Sequence, residues 1–334
     1  MTAAPLAVTM GDPAGIGPEI IVKAWAALRH EGPAFLVVGD HDLLASAGGG
    51  SLRRVASPDD AARVFADALP VLDIPISAPV VSGRPSAAHA PAVIRWIETG
   101  AGLALSGAVA ALVTAPIAKA PLYEAGFPYP GHTEFLGELT RVRDQPLPHG
   151  PVMMLAAPGL RTVLVTIHEP LATVARLLTS QKIVDVGLVT AAALKADFGI
   201  AHPRLAVAAF NPHAGESGAL GSEEVDVIRP ACAELRRLGV DCADPKPSDT
   251  LFHEAARSTY DAVICMYHDQ ALIPVKMLDF WGGVNVTLGL SIVRTSPDHG
   301  VGYDIAGRGL ARGDSLIAAL RMAAGIAGRR AGSA

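Results

Sequence analysis

Three apolar stretches of this 334-residue chain run straight into a histidine. "TVLVTIH" stops at His168, "LAVAAFNPH" at His213 and "AVICMYH" at His268. A buried strand ending on an imidazole delivers it to the carboxyl edge of a sheet, where open α/β sheets bind their ligands. Three such rings converging on one point make a ligand set for a divalent transition ion, with positions left open for substrate. His30, His41, His89, His149 and His202 lack that placement and are expected in solvent.

Further polar groups cluster around the same kind of edge. In "FNPHAGESGALGSEE", Asn211 and His213 open a run of small residues just before a helix, where backbone N–H groups can hold an anion. Ser222 is the expected N-cap of that helix, with Glu223 and Glu224 favouring its first turn. "YPGHTEFLGELT" sets His132 and Thr133 at a helix start with Glu134 beside them, Thr133 being either a cap or a cleft residue. Lys276, Asn285 and Arg294 lie along strand-like sequence. They offer a point charge, an amide and a bidentate fork, which suits phosphate or carboxylate. "MGDPAGIGPE" is a Gly-rich turn after the first strand with Asp12 as its polar group. Ile20 stands where a third glycine would complete GxGxxG, so the dinucleotide fingerprint is not met.

Alternating strand and helix patterns must position these groups. "LAVTMG", "AFLVVGD", "AALVTA", "VMMLAA" and "VNVTLGL" read as further strands, and residues 17–32, 171–199 and 222–239 as helical segments. The alternation predicts an α/β fold on a largely parallel sheet. The tail "AGIAGRRAGSA" is expected to fray. Residues 99–118 carry no charge, but Ser106-Gly107 breaks them into a helix end and a buried strand, so no membrane span is expected.

Composition narrows the function classes. The formal charge is −5 with no basic cluster, which argues against nucleic acid. Cys232, Cys242 and Cys265 show no CxxC spacing and cannot build a disulfide framework. "MTAAPLAVTMGDPAGIG" lacks a basic start followed by an apolar core, so a cytoplasmic location is expected.

"VTMGDPAGIGPEI", "TAPIAKAPL…GHTEFL", "NPHAGESGALGSEE", "YHDQALIPVK", "VNVTLGL" and "RTSPDHGVGYDIAG" together resemble the 4-hydroxythreonine-4-phosphate dehydrogenase family of vitamin B6 biosynthesis, from about residue 6 to about residue 328. The resemblance implies a two-domain α/β/α fold like that of isocitrate and isopropylmalate dehydrogenases. Residues 1–120 with 275–334 would form the NAD-binding lobe, and 121–274 the metal, substrate and dimerisation lobe. It implies NAD (or NADP) oxidation of 4-phosphooxy-L-threonine to a β-keto acid that loses CO2 to give 3-amino-2-oxopropyl phosphate. One divalent metal (Zn, Co, Mn or Mg) per site is implied, in a homodimer with its active site at the subunit interface. Carried over residue by residue, the metal ligands are His168, His213 and His268. The substrate-binding residues are His132, Thr133, Lys276, Asn285 and Arg294, and the cofactor residues His299, Gly300 and Asp304. Asp249 and Asp269 are placed to orient ligand histidines or move protons. The chain departs from the commonest family form at Ser291-Ile292, where Pro-Phe is usual, away from the ligand positions.

Other readings stay open on sequence alone. Related family members oxidise phosphorylated four-carbon sugar acids or aromatic cis-diols. A metal-dependent hydrolase would use the same histidines without NAD, and a non-catalytic binding protein would need no metal.

Overall fold

The computed structural model describes residues 4–141 and 150–332. They divide into two compact units, one of residues 4–141 and 290–328, the other of 150–289 and 329–332. Residues 121–141 therefore group with the first unit and 275–289 with the second. His149 lies outside the described residues.

The first unit is a wholly parallel sheet of six strands. These are β1 (Leu6–Thr9), β2 (Phe35–Gly39), β3 (Leu52–Arg54), β4 (Leu69–Asp73), β5 (Leu112–Thr114) and, late in the chain, β12 (Arg294–Pro297), in the order β3-β4-β2-β1-β5-β12. Short apolar runs such as "FLVVG" are buried at every residue, as a parallel sheet covered by helices requires. The helix Gly17–Leu28 follows β1 with Pro18 in its first turn, where the missing N–H costs nothing. Between them, Gly11 sits at φ +76°, and a Cβ there would lie 2.4 Å from Pro116 O. Only glycine lets the chain turn so close to the end of β5.

The second unit carries β6 (Val152–Ala157), β7 (Leu160–Leu164), β8 (Arg204–Val207), β9 (Asp241–Cys242), β10 (Ala262–Cys265) and β11 (Val284–Leu288), in the order β11-β6-β7-β10-β8-β9. β7, β10, β8 and β9 run parallel, while β6 is antiparallel to both β7 and β11. Leu155, Leu164, Ala206, Val263 and Cys265 form the core with Ala271 and Val275 of the helix His268–Leu278. That helix presents one stripe to the sheet and leaves Ile273 and Met277 exposed on the other side.

The uncharged segment 99–118 is the end of the helix Ala90–Leu105 followed by β5, as its sequence suggests. Among the described residues no single helix is long and apolar enough to cross a membrane. The helices Leu171–Leu177 and Ser180–Ala196 qualify only as a pair, bent by 91°. Two expectations need correction. The helix Asp314–Gly332 runs through most of the supposedly frayed tail, because Arg330 forks onto Asp197 at 2.6 and 3.0 Å. His89 is buried rather than solvated, its Nε2 3.0 Å from Pro79 O, since it closes a short turn against the start of the helix Ala90–Leu105.

Candidate active site

In the second unit the three histidine-bearing strands are neighbours. β7, β10 and β8 lie side by side and parallel, so His168, His268 and His213 all follow carboxyl ends of adjacent strands. The His168 and His268 rings stand 5.7 Å apart between centroids. With Glu169, Tyr267 and Asp269 they line a cavity of about 410 Å³. Asp269 Oδ1 lies 2.7 Å from His268 Nδ1, which leaves Nε2 as the nitrogen for a cation. Two imidazoles so placed fit a divalent transition ion by donor type. Among the described residues, however, no three His, Cys, Asp or Glu side chains gather closely enough to hold a metal. Within the chain, His168 and His268 are the pair brought ring to ring, and His213 follows the neighbouring strand β8.

His213 is carried on an unusual backbone. Residues 213–217 form a left-handed turn, with φ of 51° at His213, 54° at Ala214, 76° at Gly215, 41° at Glu216 and 59° at Ser217. Each non-glycine residue in that region costs roughly 1–2 kcal/mol, so the surroundings must enforce it. The chain entering the turn is tied to Glu224, fully buried: its Oε1 accepts from Phe210 N and Asn211 N, both at 2.7 Å, and its Oε2 from Asn211 Nδ2 at 2.9 Å. Asn211 Nδ2 also donates to Glu223 Oε2 at 2.6 Å. The two glutamates thus serve the preceding loop. The N-cap is Glu223 rather than the expected Ser222, whose carbonyl accepts from Val225 N and Asp226 N. The segment opens with a π turn, Glu224–Ile228, before the α-helix Arg229–Arg237.

Asp249 is exposed on the short turn Ser248–Thr250 and bonds to no histidine among the described residues. Gln270, which sequence reasoning passed over, is the residue that organises this edge. Its Oε1 accepts from Met266 N at 2.6 Å, while Nε2 donates to Ala209 O at 2.6 Å and Ser248 Oγ at 2.8 Å. It locks the start of the His268 helix to the chain leaving β8 and to the Asp249 turn. A buried amide two residues from a candidate ligand was the available signal.

Of the expected anion-binding residues, Lys276 lies on the helix His268–Leu278, not on strand-like sequence, with Nζ 5.4 Å from the Phe280 ring centroid. The apolar spacing Ala271, Val275 is helical, and it outweighs the β-like composition around it. Asn285 does sit on a strand, β11, and its Oδ1 is buried with no hydrogen-bond partner among the described residues.

The remaining candidates belong to the first unit. His132 begins the helix His132–Leu139 and Thr133 follows it; Thr133 caps nothing, the N-cap being Gly131. His132 Nε2 is buried without a partner among the described residues. Burial, and then the Arg294 charge, push its pKa well below the ordinary histidine value, so the ring is neutral. Arg294 is buried at the start of β12 and donates from Nη2 to Thr114 Oγ1 at 2.7 Å. Its burial lowers its pKa to about 10, opposed by the charge of Glu134. A buried guanidinium beside a neutral imidazole is a ready anion site.

The Gly-rich turn after β1 and the segment around 298–309 pack together within this unit. Asp12 accepts from Ala14 N at 2.9 Å and from the Tyr303 hydroxyl at 2.6 Å. Ile16 N donates to Val301 O at 2.9 Å, and Lys23 Nζ to Gly309 O and Ala311 O. His299, Gly300 and Asp304 are exposed along this segment.

Residues 31–323 match the family described as pyridoxal phosphate biosynthetic protein PdxA. The chain is 69% identical over 331 residues, 99% of each sequence, to the 4-hydroxythreonine-4-phosphate dehydrogenase of Caulobacter vibrioides. It superposes on the crystal structure of the Klebsiella pneumoniae enzyme of that name with a TM-score of 0.84 at 38% identity, covering 98% of both chains. A terephthalate 1,2-cis-dihydrodiol dehydrogenase from Burkholderia xenovorans is more distant, at TM-score 0.63 and 29% identity, covering 96% of this chain and 97% of the other.

Proposed function

Since the chain belongs to the PdxA family of pyridoxal phosphate biosynthetic proteins, we propose that it is a cytoplasmic 4-hydroxythreonine-4-phosphate dehydrogenase using NAD or NADP. The near-complete alignment at 69% identity with a relative of that name carries the assignment. In the proposed reaction the secondary alcohol of 4-phosphooxy-L-threonine loses hydride and proton to become a ketone. The β-keto acid then releases CO2 and leaves 3-amino-2-oxopropyl phosphate. NAD would supply the hydride acceptor, and the segment 298–307, which resembles an adenosine-binding loop, would hold the dinucleotide through His299, Gly300 and Asp304.

The metal ligands in this reading are His168, His213 and His268. A bound divalent ion (Zn, Co, Mn or Mg) supplies Lewis acidity at the substrate hydroxyl, and imidazole donors favour Zn or Co among these. Asp269 fixes the tautomer of His268 by accepting from Nδ1. In this reading the active site lies at the subunit interface of a homodimer, where the three imidazoles meet. The apolar flank of the His268 helix supports such a homodimer: Met277 is 81% exposed and Ile273 61%, with Phe280 and Trp281 just beyond. Arg294 and Lys276 hold phosphate or carboxylate as charges, while neutral His132, Thr133 and Asn285 orient the substrate by hydrogen bonds. Asp249 stands near the histidine-bearing edge as a group able to move a proton.

The likeness to a cis-dihydrodiol dehydrogenase keeps a second substrate class in view. A substrate panel separates them. Phosphothreonine-type, phosphorylated sugar-acid and aromatic cis-diol substrates are offered to one preparation, and NADH is followed by fluorescence. The reading expects turnover with the first; turnover confined to a diol or sugar acid contradicts it.

A further inference from the structure

We propose that Glu224 is a positioning residue for the metal ligand His213, acting through the left-handed turn that carries it; this rests on the reading of His213 as a ligand. Glu224 touches neither substrate nor His213. It is wholly buried and receives three N–H donors, from Phe210, Asn211 and the Asn211 amide. These fix the two residues at the entry to the turn.

The turn is also packed against the same carboxylate. A Cβ on Gly215, at the centre of the turn, would lie 2.7 Å from Glu224 Oε2 and 3.0 Å from Gly221 O. Gly221 in turn backs onto Asn211, with a Cβ there 2.4 Å from Asn211 Nδ2. The turn closes on itself through Leu220 N to Gly215 O at 3.1 Å. Entry, centre and exit thus all bear on Glu224 or on the residue it holds. Left-handed residues persist only where neighbours over-determine them. Releasing Glu224 frees Ala214, Glu216 and Ser217 to relax, and His213 moves with them.

Glu224→Gln is the sharpest probe. Its Oε1 can still serve the backbone donors, but its NH2 faces the Asn211 NH2, and turning the Asn211 amide would set its oxygen against Glu223. Full-length, metal-free protein is titrated with cobalt(II), read by calorimetry and by the cobalt absorption band, alongside a thermal melt. Glu224→Gln is expected to weaken cobalt binding about 10-fold or more, within the range for residues that orient ligands, while the metal-free protein still melts in one cooperative transition at a somewhat lower temperature. His213→Ala should weaken binding at least as much, and the double variant no further, because both changes remove one interaction. Wild-type affinity in Glu224→Gln, or additive losses in the double variant, overturns the inference. Wild-type affinity in His213→Ala overturns the ligand reading instead, and the inference with it. Should Glu224→Gln fail to fold, Asn211→Ala removes the amide contact alone and is judged by the same double-variant comparison.

Discussion

His168 and His268 hold their rings 5.7 Å apart, centroid to centroid, beyond the carboxyl ends of two adjacent parallel strands. The pairing of β7 with β10 places them, and the Asp269 carboxylate beside His268 Nδ1 selects the nitrogen each cation would meet.

Asp269→Asn is expected to leave the fold intact, since Asp269 is exposed, yet to lower zinc or cobalt affinity about 10–100-fold. Competition with a chromophoric chelator measures this. His168→Ala should lose more than Asp269→Asn, because it removes a ligand rather than the group that orients one.

Asn285 separates stability from function. Its buried, partnerless Oδ1 among the described residues costs folding free energy of about 1–3 kcal/mol. Asn285→Leu should therefore unfold no earlier than wild type in urea, while its KM rises about 10-fold or more as an orienting hydrogen bond is lost. A destabilised variant with unchanged KM would assign Asn285 a purely structural role.

The depressed pKa of His132 links stability to pH. The ring is neutral in the folded chain and protonates near its ordinary value when unfolded, so below about pH 6.5 the unfolded state binds the extra proton. Its contribution is full above that value and is lost as pH falls toward the folded pKa. Denaturant midpoints measured from pH 7 to 5 should fall less steeply in His132→Asn than in wild type.

Gly11→Ala tests the turn beneath the proposed cofactor segment. The left-handed φ costs about 1–2 kcal/mol for alanine, before the clash with Pro116 O is counted. A lowered melting temperature together with weaker NAD binding is expected, with cobalt affinity unchanged.

Much of this was legible in the sequence because the site sits where strands end. Buried runs such as "VICM" and "VLV" are unmistakable, and a histidine shortly after one lies beyond the sheet edge, although β7, β8 and β10 themselves stop at Leu164, Val207 and Cys265, ahead of their histidines. Short or interrupted strands were not: β4 contains Pro70, which demotes a strand in any pattern reading, and β9 is two residues long. Lys276 was misplaced because the helix His268–Leu278 is rich in residues that also suit strands and contains Pro274. The left-handed turn at His213 was invisible for a different reason. "HAGES" prescribes no such backbone; the residues that lead into it are tied to Glu224, several residues later, in the interior. Tertiary hydrogen bonds of that kind leave no local signature.

The central claim is metal-assisted dehydrogenation of a phosphothreonine substrate. The most direct measurement is NADH formation by purified protein supplied with 4-phosphooxy-L-threonine and NAD+, with and without a chelator and in His213→Ala. The account predicts turnover that the chelator abolishes, a divalent ion restores and His213→Ala loses. Turnover indifferent to the chelator and to His213, or a chain that binds no nicotinamide dinucleotide, would contradict it.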